Sequence, residues 1–135
     1  MFSQEKYNNM IIDTDVIIRY LTHDDPKKSD RFAVFLRSGK KAELADVTFA
    51  EVYWTALSFY KMNKTDTLSM LEALINRPTV VSNSSILSQT IELLRNYTVS
   101  FVDAYTAATA MFSDKTILSF DHDFDKIPGI KRIEP

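Results

Sequence analysis

Residues 10–21 read MIIDTDVIIRYL, and the change of pattern inside that stretch decides the fold. Met10 to Ile12 is a short apolar run of the kind a buried strand needs. It ends at Asp13-Thr14, after which Val16, Ile17, Tyr20 and Leu21 recur at helical spacing. A strand, a capping turn and a helix therefore follow one another directly.

The alternation continues outward. Asp24-Asp25-Pro26 signals a second helix, with Phe32, Phe35 and Leu36 as its apolar stripe and Ser38-Gly39 as its stop. Glu43 to Val47 reads as a strand, followed by Thr48 as N-cap of a helix through Val52, Trp54, Leu57 and Tyr60, with Glu51 placed to close a capping box. Thr65 or Asp66 caps a helix over Leu68 to Leu74, and Pro78 introduces the β-branched strand Thr79 to Val81. A helix from Asn83 or Ser84 carries Ile86, Ile91, Leu93 and Leu94, and a small-residue helix runs from Ala104 to Phe112 after Asp103. Thr116 to Ser119 is the next strand, Pro128-Gly129 a turn, and Ile130 to Ile133 an edge strand. Alternating short strands and helices predict a three-layer α/β domain whose sheet, of about five strands, is mainly parallel.

Composition narrows the function classes. With 45% apolar and 25% charged residues over 135 positions, the chain reads as one soluble globular domain. It has no cysteine, which excludes a disulfide framework and a thiolate zinc site, and His23 and His122 form no recognisable zinc pattern. The N-terminus, MFSQEKYNN, lacks a signal-peptide pattern and no apolar run is long enough for a bilayer, so a cytoplasmic protein with no membrane partner is expected. A formal charge of -2 argues against a general nucleic-acid coating protein, although a bound cation can reverse the field of one pocket. Only two glycines occur, none in a loop after the first strand, which counts against nucleotide phosphate binding, and there is no Gly-x-Ser-x-Gly elbow.

What remains is a set of separate acids at the edges of apolar elements: Asp13, Glu51, Asp103, Asp121 and Asp123. In open parallel sheets, sites form beyond the carboxyl ends of strands, where such carboxylates could surround one or two Mg²⁺ or Mn²⁺ ions. Each also has a structural explanation. Asp13 and Asp103 could be N-caps, Glu51 the partner of Thr48, and Asp121 and Asp123 turn residues.

Four segments in order, MIIDTDVIIRYL, TFAEVYW, SFVDAYTAATA and ILSFDHDFDKIPGIKRI, resemble the motif series of the PIN-domain nucleases, most of all the VapC-type ribonuclease toxins. The resemblance implies an α/β/α PIN-like domain over residues 10–135, with residues 1–9 as an N-terminal extension: a disordered tail, or a stretch before a true start at Met10. It implies a Mg²⁺- or Mn²⁺-dependent endoribonuclease in which Asp13, Glu51, Asp103 and Asp121 match the family's acidic ligands. Thr14 and Ser119 match its small hydroxyl positions, and Asp123 a further acid that some members use. It also implies a cognate VapB-like antitoxin, lying in an apolar groove near the early helices, and a homodimer. Arg19, Arg37, Lys40 and Lys41 are candidate RNA phosphate contacts. One position departs from the family: Asp15 stands where Asn is usual.

Other readings are a PIN nuclease of RNA processing without an antitoxin, and a catalytically inactive PIN-fold binding module. A phosphatase-like enzyme would use Asp13-Thr14-Asp15 as an Asp-x-Asp motif.

Overall fold

Periodicity builds the helices, and pairing limits the strands. The structure, a computed structural model, describes residues 9–135, so the expectation for the extension falls, apart from Asn9, outside the described residues. The chain divides into two compact units, one ending at Asn83 and the other spanning Ser84–Pro135.

The first unit holds β1 (Met10–Ile11), α1 (Thr14–Thr22), α2 (Pro26–Arg37), β2 (Ala42–Glu43), α3 (Asp46–Ser58), α4 (Lys64–Ile75) and β3 (Val80–Val81). Its strands form one parallel sheet in the order β1-β2-β3, with Met10 opposite Ala42 and Ala42 opposite Val80. Every crossover between them contains helix, as parallel pairing requires. Asp25 caps α2 by accepting from the Lys28 amide (3.2 Å), and Pro26 takes the first helical position, where its missing N–H costs nothing.

Two helix starts in this unit differ from the sequence expectation. Val47 and Thr48 favour a strand by propensity, yet α3 begins at Asp46, because that register puts Phe49, Val52, Tyr53 and Ala56 on one buried face at i, i+3, i+4 and i+7. Ala45 is then the N-cap, so Thr48 is not, and no capping box with Glu51 exists. In α4 the cap is Asn63, whose Oδ1 accepts from the Asp66 amide (3.1 Å), in place of Thr65 or Asp66. Of the aromatics in this region Phe49 and Tyr53 are core, while Trp54 and Phe59 lie open to solvent.

The second unit holds α5 (Ser84–Asn96), α6 (Phe101–Met111), β4 (Thr116–Leu118), a 3-10 turn over His122–Lys126, and β5 (Lys131–Ile133). The strands β4 and β5 pair in parallel, with Ile117 opposite Arg132. All five strands are in parallel ladders and the α/β class read from the sequence holds, but they form two sheets, of three and of two strands, in place of the single sheet of about five that was expected.

Ala104, Ala107 and Ala108, all fully buried, give α6 a narrow face, and α6 packs against α5. Leu has nearly the helix propensity of Ala, so Ala107→Leu tests packing alone. Overpacking should cost about 1–3 kcal/mol in urea unfolding, and an unchanged midpoint would contradict the close approach.

Candidate functional site

In the first unit the acids follow β1 and ride on α3. The Ile12 amide donates to the Glu43 carbonyl (2.9 Å), so Asp13 stands one residue beyond the last ladder bond of β1. It occupies the N-cap position of α1 in extended conformation, but its carboxylate makes no capping bond. Thr14, the first helical residue, donates from Oγ1 to Oε2 of Glu51 (2.9 Å). Glu51 is therefore oriented by a hydroxyl 37 positions away in sequence, not by its own helix start. Asp15, in the first turn of α1, lines a cleft of about 370 Å³ together with Val16, Arg19, Lys28, Arg31 and Phe32. Within that cleft Arg19 is engaged: Nη1 donates to Asp24 (2.6 Å) and to the Tyr60 hydroxyl (3.2 Å), which raise its pKa, Tyr60 foremost. Arg37, Lys40 and Lys41 are exposed.

In the second unit, the cap of α6 is Ser100, whose Oγ accepts from the Asp103 amide (3.1 Å). Asp103 thus lies inside the first helical turn and is not the N-cap. Beyond β4, the Asp121 amide donates to Oγ of Ser119 (2.9 Å), and Oδ1 of Asp121 accepts from the Asp123 amide (2.9 Å). The turn reading of Asp121 is correct for one of its oxygens. These local bonds, with α6, bring Asp103, Asp121 and Asp123 to a cluster in which one oxygen of each lies within 4.8 Å of the others. The only cation paired with it among the described residues is Lys126, with Nζ 3.2 Å from Oδ1 of Asp123.

Three carboxylates so placed offer oxygen alone, the donor chemistry that hard divalent cations such as Mg²⁺ and Mn²⁺ select. Without a cation each ionised pair repels by roughly 1 kcal/mol even at water-like screening. The residues present therefore fit a divalent metal.

Sequence reasoning missed Arg132. This β5 side chain is only 12% exposed, and five hydrogen bonds run from its guanidinium. Three go to Oδ1 of Asp125 (3.0 Å), the Ser119 carbonyl (3.1 Å) and Oε1 of Glu134 (2.8 Å). The Asp125 carboxyl is held below its usual range, chiefly by Arg132. The available signal was an arginine inside a strand whose other residues suit an edge, which alone says nothing about what it reaches.

Asn caps as well as Asp does, so Asp121→Asn keeps the bond to the Asp123 amide and removes one charge from the cluster. In EDTA at low salt its thermal midpoint should exceed that of the parent by about 1–4 °C, and the gain should shrink as salt screens the repulsion. A midpoint equal to or below the parent's would show that the cluster carries no repulsion.

The PIN domain profile matches residues 10–130, spanning all five acids described above. A search of the curated proteins returned no match. PIN domains are typically nucleases that act on RNA and other nucleic acids and generally use divalent metal ions. With most of its length covered by that match, this chain belongs to the PIN domain family, an α/β fold of nuclease type.

Proposed function

We propose that the protein is a metal-dependent ribonuclease of the VapC-like toxin kind, which hydrolyses RNA phosphodiester bonds and is restrained by a cognate VapB-like antitoxin. The observation that supports this most directly is the cluster of Asp103, Asp121 and Asp123, an all-oxygen donor set within 4.8 Å. Asp103 and Asp121 would hold Mg²⁺ or Mn²⁺, with Asp123 auxiliary, and the family's motif order gives Asp13 and Glu51 acidic-ligand roles as well.

A divalent ion held by these oxygens would lower the pKa of a bound water and offset charge on the phosphate. The chain's own groups then position and accept. Thr14 holds Oε2 of Glu51, and by the family's motif order the Glu51 carboxylate would orient a water and take its proton. Ser119 is a support, because its hydroxyl accepts from the Asp121 amide. No side-chain nucleophile is required.

Lys28 and Arg31 line the cleft beside Asp15, and no carboxylate is bonded to either among the described residues. They, with Arg37, Lys40 and Lys41, supply positive charge along α2 and its C-terminal turn for an RNA backbone. Val47, Trp54 and Phe59 are exposed large apolar side chains on and just beyond α3, which favours a protein partner, antitoxin or second copy, over that surface. Among the described residues no helix is long and apolar enough to cross a membrane, and the absence of cysteine fits a reducing cytoplasm.

Asp13→Asn should abolish Mg²⁺-dependent cleavage of total RNA while its circular dichroism matches the parent, and Glu51→Gln should slow cleavage by about 10²–10⁴-fold. Undiminished cleavage by Asp13→Asn would sink the nuclease assignment. For the cleft, Lys28→Gln and Arg31→Gln should each weaken RNA binding and reduce the slope of log affinity against log salt by about 1 or slightly less. Binding that keeps its salt slope in both variants would remove the cleft from the RNA path.

A further inference from the structure

We infer that Arg132 is a positioning residue that sets the metal affinity of the acidic cluster by anchoring the segment that carries two of its carboxylates. The inference rests on the metal-dependent reading above for its consequence, but its geometry lies entirely within the second unit.

Asp121 and Asp123 sit on a stretch with little ladder of its own. The last backbone bond tying it to β5 is the Ser119 amide to the Ile133 carbonyl (2.9 Å). Beyond it the chain turns through Phe120, exposed, into a single 3-10 turn. A turn of that length has few internal bonds, and here the Phe124 amide to the Asp121 carbonyl is long (3.4 Å). Repulsion within the cluster works to open such a segment.

Arg132 opposes that from the neighbouring strand. One Nη1 bond holds the Ser119 carbonyl at the start of the segment (3.1 Å), and Nε holds Asp125 near its end (3.0 Å). Nη2 reaches Nδ1 of His122 (2.9 Å) and Oδ2 of Asp125 (3.4 Å) in between. Nδ1 of His122 stands between Nη2 of Arg132 and Oδ2 of Asp125 (3.1 Å), and the imidazole tautomer sets whether it accepts from the guanidinium or donates to the carboxylate. The residues on either side of Asp121 and Asp123 are thereby fixed to one planar, nearly buried group. Glu134 also binds Arg132 (2.8 Å), but it follows β5, and its approach to the segment, Oε1 to Nε2 of His122 at 4.0 Å, is beyond hydrogen-bond length. Lysine could not replace this fork, having one nitrogen where several directions are needed.

Outer-shell partners of ligating groups typically govern metal affinity by 10–100-fold, which sets the scale expected here. Mn²⁺ titration calorimetry on the full chain without RNA should give a dissociation constant about 10–100-fold weaker for Arg132→Gln, with Arg132→Lys restoring only a minor part. Asp125→Asn should weaken Mn²⁺ binding by several-fold, whereas Glu134→Gln, which removes the same charge, should stay within about twofold of the parent. In the metal-free protein, the amides of Asp121 and Asp123 should exchange with deuterium faster in Arg132→Gln and in Asp125→Asn than in Glu134→Gln. If Arg132→Gln fails to fold, the comparison of Asp125→Asn with Glu134→Gln decides the matter. Equal effects of Asp125→Asn and Glu134→Gln, full rescue by lysine, or unchanged exchange and affinity would overturn the inference. Cleavage assays separate it from the nuclease reading: a parent that binds Mn²⁺ through this cluster but cuts no RNA refutes the latter and leaves Arg132 its part.

Discussion

Like charges gathered past the ends of short strands are the constraint on which this molecule is organised. In the second unit three carboxylates, two of them exposed, each bring an oxygen within 4.8 Å of the others, so their charges repel one another. Several devices hold them there. Asp103 is fixed by the first turn of α6, Asp121 by an amide bond to Ser119, Asp123 by an amide bond to Asp121, and the whole segment by Arg132.

Capping is arranged so that the acids stay available. Ser100 takes the N-cap of α6, which leaves the Asp103 carboxylate outside the helix start. Asp13 occupies the cap position of α1 yet makes no cap bond, and α3 begins at Ala45 with no side-chain cap at all. By contrast Asp25 and Asn63 do cap α2 and α4, helices that carry none of the candidate acids. Asp121 is intermediate, giving one oxygen to an amide and keeping the other.

Much of this was legible before any coordinates, and the misses are instructive. The strand at Met10, the Asp25-Pro26 helix start and the stop of that helix at Ser38-Gly39 follow from local pattern. Thr48 three residues before Glu51 suggests a capping pair, but the buried face of α3 outweighs that local signal and moves the helix start to Asp46. The alanines that begin after Asp103 suggest a cap there, whereas the helix already runs through Phe101 and Val102. Arg132 was passed over, because an arginine in a strand has no meaning until its neighbours are known.

The sequence by itself determined the alternation of strands and helices, the parallel class that alternation implies, and the candidacy of five acids at element edges, since each depends on residues a few positions apart. Only the tertiary structure decided that Thr14 reaches Glu51, that Asp103 joins Asp121 and Asp123, and that Arg132 spans Ser119 to Asp125. The physical reason is that such bonds are set by strand register and helix packing. A shift of one residue in register would turn the Arg132 side chain to the other face of its strand and abolish them.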